Sequence, residues 1–382
     1  MSTRSVMVVL GLVAAGLVVT PGTSQAAGDT IVVTTTIQAA VDAADPGDTV
    51  LVPAGTYTET VLVTEPGITV RGPRGAVLDG AALGLQFGIR VRSLDGSRLD
   101  GFTLEGLTIR GYSRYGSQVS GVDNFRLTGT RYLDNPLYGL FPVRCSHGRV
   151  DHNEVSGSYD SGVYVGQCTD VLVDHNVAHD NTIGLEVELS SRIVVEDNVS
   201  TDNAIGALVQ LTPGRPVKVT QDVLVRGNVL SGNDRPNTVT DGSLLAGLPG
   251  GVGVANVGGD DVRILDNVVS GNPSGGIGVV SLPAAVVALD PTLDPTPDGG
   301  EVRGNVARGN GYDPDPRLAP LPGVDVVWDL TGSPCFEVLR GTRMFPRSFL
   351  AAGEGTSQQS AAGRGSAADG QARSPETASP NR

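Results

Sequence analysis

Residues 151–203 decide the fold. Within them Asp151-His152-Asn153 is followed by Asp174-His175-Asn176 and Glu196-Asp197-Asn198, at spacings of 23 and 22 residues. A second polar residue keeps step five positions on (Ser158, Asn181, Asn203), and a glycine opens an aliphatic run after each (Gly162-Val163-Tyr164-Val165, Gly184-Leu185-Glu186-Val187, Gly206-Ala207-Leu208-Val209). A period near 22 residues, built from short Val/Ile/Leu runs and Gly/Asn/Asp turns, marks a solenoid. No run between turns has helical length or spacing, so each repeat reads as one coil of short strands. Coils stacked at the spacing of paired strands, about 4.8 Å, turn the recurring asparagine into an inward ladder in which each amide bonds its neighbours above and below.

Extended outward, the ladder position runs Leu107, Thr130, Asn153, Asn176, Asn198, Asn228, Asn267 and Asn305. The class expected is all-β, a parallel solenoid of about ten coils over residues 49–311, with segment 27–48 capping its N-terminal end. In that cap Thr35–Ala44 is the one convincing helix. Thr35 and Gln38 read as a capping box, and Ile37, Ala40, Val41 and Ala44 form one apolar stripe. Residues 312–350 read as a C-terminal cap or extended segment, and the Gly/Ser/Ala/Gln-rich 351–382 as a disordered tail.

Composition agrees with stacked aliphatic rungs: of 382 residues 53 are Gly and only 4% are aromatic. The net charge of −14 argues against nucleic acid or an anionic membrane as partner, and a polyanionic glycan would need a bridging cation such as Ca²⁺. Lys218 is the only lysine, which excludes lysine catalysis elsewhere. Residues 1–26 read as a secretory signal peptide: Arg4, an apolar run over Val6–Val19, and Ser24-Gln25-Ala26 as a small-x-small cleavage site. A secreted monomer is expected.

Ile37-Gln38-Ala39-Ala40-Val41, Pro46-Gly47-Asp48-Thr49-Val50 and Gly55-Thr56-Tyr57 resemble the N-terminal cap of right-handed parallel β-helix proteins of the pectate-lyase-like superfamily. The resemblance covers roughly residues 35–310. It implies the right-handed form of the solenoid and, because this fold hosts lyases, hydrolases, epimerases, adhesins and metal-loading factors, leaves the activity open. Among family motifs, the polygalacturonase set is represented only by Asp260-Asp261, and the Asp-Pro-His-Asp of alginate epimerases is absent. Asp151, Asp174 and Glu196, followed in their column by Arg226, resemble the acidic Ca²⁺ cluster and arginine of pectate lyases. The repeats also resemble, loosely, a copper-associated β-helix family of nitrous oxide reductase maturation.

The period aligns three sets of candidate residues. Cys145 and Cys168 lie 23 apart at one coil position, within disulfide range of each other in an oxidising compartment, and a bridge is expected. His152 and His175 share a column with Asp197, a set able to hold Zn²⁺ or Cu²⁺, although the later members Gly227, Asp266 and Gly304 fit a merely polar turn. On the glycine-led strands Phe141, Tyr164, Glu186, Leu208, Gly253 and Gly278 form one outward column; Val143, Gly166, Glu188 and Gln210 form the next. Aromatics beside acids suit a sugar, with Phe141, Tyr164, Gln210 and Asn256 as binding residues. Glu186 and Glu188, at i and i+2, are roughly 6.5–7 Å apart at the backbone, a spacing open to an acid/base pair. Insertions at Thr212–Gln221, Asp234–Leu248 and Leu282–Gly299 are expected to wall a groove on this face. The functions in view are lyase or hydrolase action on an extracellular polysaccharide, non-catalytic adhesion or matrix building, and metal handling.

Overall fold

A computed structural model describes residues 28–337 and 341–346. The signal peptide and the tail read from the sequence lie outside the described residues. Each coil contributes one short strand to each of three parallel sheets, of twelve, eleven and ten strands. The twelve-stranded sheet runs from Thr30–Val32 to Cys335–Phe336, the eleven-stranded sheet from Val61–Val63 to Met344–Phe345, and the ten-stranded sheet from Gly55–Tyr57 to Val306–Arg308.

The alternation of strand side chains sets the interior. Leu140, Val163, Leu185, Ala207, Val254 and Ile277 stack in register on the inner side of the eleven-stranded sheet, and all are buried. The polar positions between strands also turn inward. Asn153 Nδ2 donates to Asn176 Oδ1 at 2.9 Å, and the chain of amides continues through Asn198, Asn228, Asn267 and Asn305. A second ladder runs from Ser158 through Asn181, Asn203, Asn233, Asn272 and Asn310 to Asp325. Each rung also satisfies turn carbonyls or backbone N–H groups, which explains why amides sit in the core without cost.

The core tolerates one large ring only because a small residue follows it. Phe125 and Gly148 occupy adjacent rungs, and a Cβ on Gly148 would lie 2.0 Å from the Phe125 ring. Gly148→Ala is therefore expected to lower stability by at least about 1–3 kcal/mol, the usual cost of overpacking, read as a fall in the urea midpoint.

At the N-terminal end the helix Ile37–Asp42 buries Ile37, Ala40 and Val41, as its stripe implies. The capping box does not form. Thr36 is the N-cap and accepts from Ala39 N, while Glu59, from the next turn of chain, takes the N–H groups of Ile37 and Gln38 at 2.9 Å. Gln38 instead binds Asp42 and Leu62, pinning the helix over the first coil. At the other end Val326–Trp328 and Cys335–Phe336 pair parallel with the preceding coil, so part of this segment continues the solenoid.

Candidate functional site

On the outer side of the eleven-stranded sheet the register places Arg90, Gln118, Phe141, Tyr164, Glu186, Leu208, Ala255 and Gly278 in one column. The sequence reading put Gly253 where Ala255 stands. Gly253 belongs instead to a glycine column with Gly162, Gly184 and Gly206, where a Cβ would meet the next coil. The Asp234–Leu248 insertion hides this two-residue offset. Asn256 falls in register with Val209 and Val279; it is buried and exchanges hydrogen bonds with Gly259, so it closes a turn and does not face a ligand.

The insertions do not wall an open groove. Lys218 and Gly214 bind Asp290, and Leu211, Leu282 and Leu293 pack with Leu189 beneath them. Leu245 and Leu248 lie on Ile183, Ile205, Leu208 and Val252. The cover thus begins at Ile183 and Leu189, at either end of the Glu186 strand, and extends over Leu208.

The other end of the face is aromatic, with Tyr115 and Tyr164 buried and Phe87, Tyr138 and Phe141 half-buried. Phe87, Tyr115, Tyr138, Phe141 and Tyr164 form a continuous band with neighbouring ring centroids 4.5–5.6 Å apart. Where this band meets the covered part, three carboxyls converge: Asp160, Glu186 and Glu188. The Ser161 hydroxyl contacts both Asp160 Oδ1 and Glu186 Oε2, and Gln210 Nε2 donates to Glu186 Oε1 at 2.7 Å. Glu186 and Glu188 are 4% and 7% exposed, so neither is the solvent-facing acid its position on an outward strand implies. Glu188 Oε1 is buried with no hydrogen-bond partner. The Tyr164 ring lies over Gly166, where a Cβ would come within 2.1 Å of the phenol oxygen.

Burial, with the charges of Asp160 and Glu188 added, holds the Glu186 carboxyl well above its ordinary range against the bonds from Ser161 and Gln210. Burial likewise pushes Asp160 up to about 6, and Glu188 upward. Such groups bind protons more tightly folded than unfolded, so they favour folding at low pH and oppose it once ionised. Asp123 and Asp151, held at about 2 by arginine partners that outweigh burial or lead it, act the other way only at lower pH. Stability is therefore expected to decline as pH rises from about 4 through about 6, and Asp160→Asn to flatten that decline, read from urea midpoints across the range.

Asp160 and Ser161 were missed in the sequence because the period highlights recurring residues, and these two interrupt their columns. The one available signal was Ser161 standing where Tyr138 precedes it and Ile183 follows.

The other candidates lie elsewhere. Cys145 and Cys168 are stacked as expected but carry free thiols. Cys168 Sγ accepts from Cys145 N at 3.2 Å and Ser190 Oγ from Cys168 N at 3.0 Å, a short Cys/Ser ladder in which each sulfur serves the backbone. His152 and His175 stack at 5.0 Å, each with Nδ1 2.8 Å from the preceding aspartate, and line a surface depression of about 550 Å³ with His179, Glu154 and Arg74. Both histidines and Asp197 occupy the same left-handed turn position, with φ of 57°, 55° and 54°, which explains the polar and glycine residues of that column. Among the described residues no group of three His, Cys, Asp or Glu is arranged to hold a metal ion. Asp151, Asp174 and Glu196 do stack, but Arg126, Arg149 and Arg226 respectively occupy them.

The family model for the right-handed β-helix region matches residues 88–269. Comparison with curated proteins gives no match. Among solved structures, the A-module of the Azotobacter vinelandii mannuronan C-5 epimerase AlgE6 aligns at 17% identity and a TM-score of 0.58, over 81% of this chain and 92% of that one. The AlgE4 A-module of the same organism aligns at 18% and 0.54 over 79% and 89%. DFA-IIIase from Arthrobacter chlorophenolicus A6 aligns at 13% and 0.52 over 78% and 90%. The chain is a right-handed parallel β-helix protein.

Proposed function

We propose that this chain is a secreted enzyme that cleaves glycosidic bonds of an extracellular polysaccharide at the Asp160/Glu186/Glu188 cluster. The observation that carries this reading is the meeting of a half-buried aromatic band with carboxyls whose surroundings favour the protonated form. A sugar stacks on an aromatic face, and hydrolysis needs one carboxylic acid still protonated near neutral pH beside a second carboxyl. One hydroxyl touching both Asp160 and Glu186 keeps them inside the upper separation of roughly 9.5 Å at which such pairs work. In this reading Glu186 supplies the proton to the leaving oxygen, and Asp160, partly exposed at the rim, is the base or nucleophile. Glu188, with its unpartnered oxygen, orients Tyr164 and the substrate hydroxyls.

Two of the structures with this fold are mannuronan epimerase modules, which accords with a glycan substrate, although the likeness speaks for the fold alone. Incubation with plant, algal and bacterial glycans, with and without Ca²⁺, is expected to release new reducing ends without ultraviolet-absorbing unsaturated products. Unsaturated ends would instead assign a lyase, and binding without any product would favour an adhesive role.

A further inference from the structure

All 4 histidines of the chain fall within residues 147–179, and two of them, His152 and His175, share one column. These two stand at the corner between the twelve- and ten-stranded sheets, each directly after the aspartate that ends a strand, Ser146–Asp151 or Thr169–Asp174. That aspartate settles which ring nitrogen carries the proton. Arg126 donates to both oxygens of Asp151, through Nε at 2.9 Å and Nη2 at 2.8 Å. Arg149 grips Asp174 in the same way, at 2.9 and 2.7 Å. Forks of this kind keep the carboxyls ionised and acceptor-only, so the Nδ1 atom 2.8 Å from each is the donor. The neutral imidazole then holds its lone pair on Nε2, and neither Nε2 has a hydrogen-bond partner among the described residues. The rings are parallel to within 5° and 5.0 Å apart. Two bare lone pairs therefore point the same way, side by side, on exposed side chains that line the depression of about 550 Å³.

A carboxylate on Nδ1–H is the arrangement that aims a histidine at a metal, since it fixes the ring and raises the basicity of Nε2. Here it is built twice, one coil apart. We propose that Nε2 of His152 and Nε2 of His175 clamp one divalent ion of the Zn²⁺ class between adjacent coils, with water in its remaining positions. Imidazole nitrogen suits such an ion, whereas Ca²⁺ and Mg²⁺ take oxygen ligands. Zn–N bonds of about 2.1 Å put two nitrogens roughly 3.4 Å apart at the tetrahedral angle, so each ring leans in by under about 1 Å. Exposed rings have the room to do so. The clamp stays a pair, because its neighbours are committed elsewhere. Asp197, next in the column, leans toward the following coil, where a Cβ on Gly227 would lie 2.7 Å from its Oδ1. Glu154, in the same depression, is held through both oxygens by Arg131 at 3.0 Å. The ligand set expected from the column, two histidines with Asp197, thus loses its carboxylate and keeps its nitrogens. The site lies off the aromatic band and does not depend on the glycan reading.

The test is calorimetric titration of the tag-free full chain, first stripped with EDTA, with ZnCl₂ and with CaCl₂. One Zn²⁺ per chain is expected to bind, at least about 30-fold tighter than Ca²⁺. His152→Asn and His175→Asn suit the left-handed backbone of these positions, with φ of 57° and 55°. Each is expected to weaken Zn²⁺ binding at least about ten-fold, because one imidazole cannot chelate. His147→Asn, at a histidine beside Ser146 and Asp170, is expected to leave the affinity within about two-fold. Urea unfolding gives a second readout that also verifies folding of each variant. Saturating Zn²⁺ is expected to raise the midpoint of wild type and of His147→Asn and to leave both clamp variants unmoved, since an ion bound only by the folded chain adds to its stability. No stoichiometric Zn²⁺ binding, equal affinity for Ca²⁺, loss of binding on His147→Asn, or near wild-type affinity in either clamp variant overturns the proposal.

Discussion

Replacement of Asn198 by alanine is expected to cost about 3–5 kcal/mol of stability. The figure follows from what the side chain leaves behind, at roughly 1–3 kcal/mol for each buried group made unsatisfied. Asn198 Oδ1 accepts from both Asn176 N and Asn176 Nδ2, at 2.8 and 2.9 Å. Its Nδ2 donates to the carbonyls of Val173 and Glu196 and to Asn228 Oδ1, at 2.9–3.0 Å. The site is 1% exposed, so water does not replace these partners. Asp197→Asn, at the exposed neighbouring position whose left-handed backbone asparagine tolerates, serves as control and is expected to change stability by under about 0.5 kcal/mol. Urea midpoints of the two variants against wild type decide the matter; comparable small shifts in both would mean the ladder is dispensable.

Glu186→Gln is expected to abolish turnover, by about 10³-fold or more, the scale on which a positioned proton donor acts together with the charge it stabilises. Glutamine keeps the shape and still accepts from Gln210 or meets Ser161, but it has no proton to give. It also removes a carboxyl that burial and two neighbouring acids make unfavourable once ionised. Stability at pH 7 is therefore expected to stay level or rise while activity falls, a combination that a merely structural residue does not produce. Asp160→Asn is expected to lose turnover as well and to remove the pH dependence near 6. His152→Ala, on the opposite side of the coil, is expected to leave turnover unchanged.

The ladder, the inward aliphatic columns and most of the outward register were legible in the sequence because a parallel solenoid repeats each environment every coil. Asn153, Asn176 and Asn198 announce their position by recurring, and Tyr164, Glu186 and Leu208 inherit theirs from them. What does not recur was read less well. The 234–248 insertion concealed the true position of Gly253, and a capping box was assigned to Thr35 where a distant carboxylate, Glu59, does the capping. An outward strand position reads as exposed, yet Glu186 and Glu188 are buried, with Ser161 and Gln210 of the coils on either side closing on Glu186. The acid cluster depends on Asp160 and Ser161, singular residues that only the fold brings together with Glu186.

In the proposed mechanism one protonated carboxyl, Glu186 at the end of the aromatic band, drives cleavage of a glycan. Its most direct measurement is the initial rate of reducing-end release from the best-bound glycan by wild type and Glu186→Gln at matched saturation. Turnover is expected in wild type, with a loss of about 10³-fold and unchanged affinity in the variant. Equal rates in the two proteins, or a variant that loses binding and rate together, would contradict it.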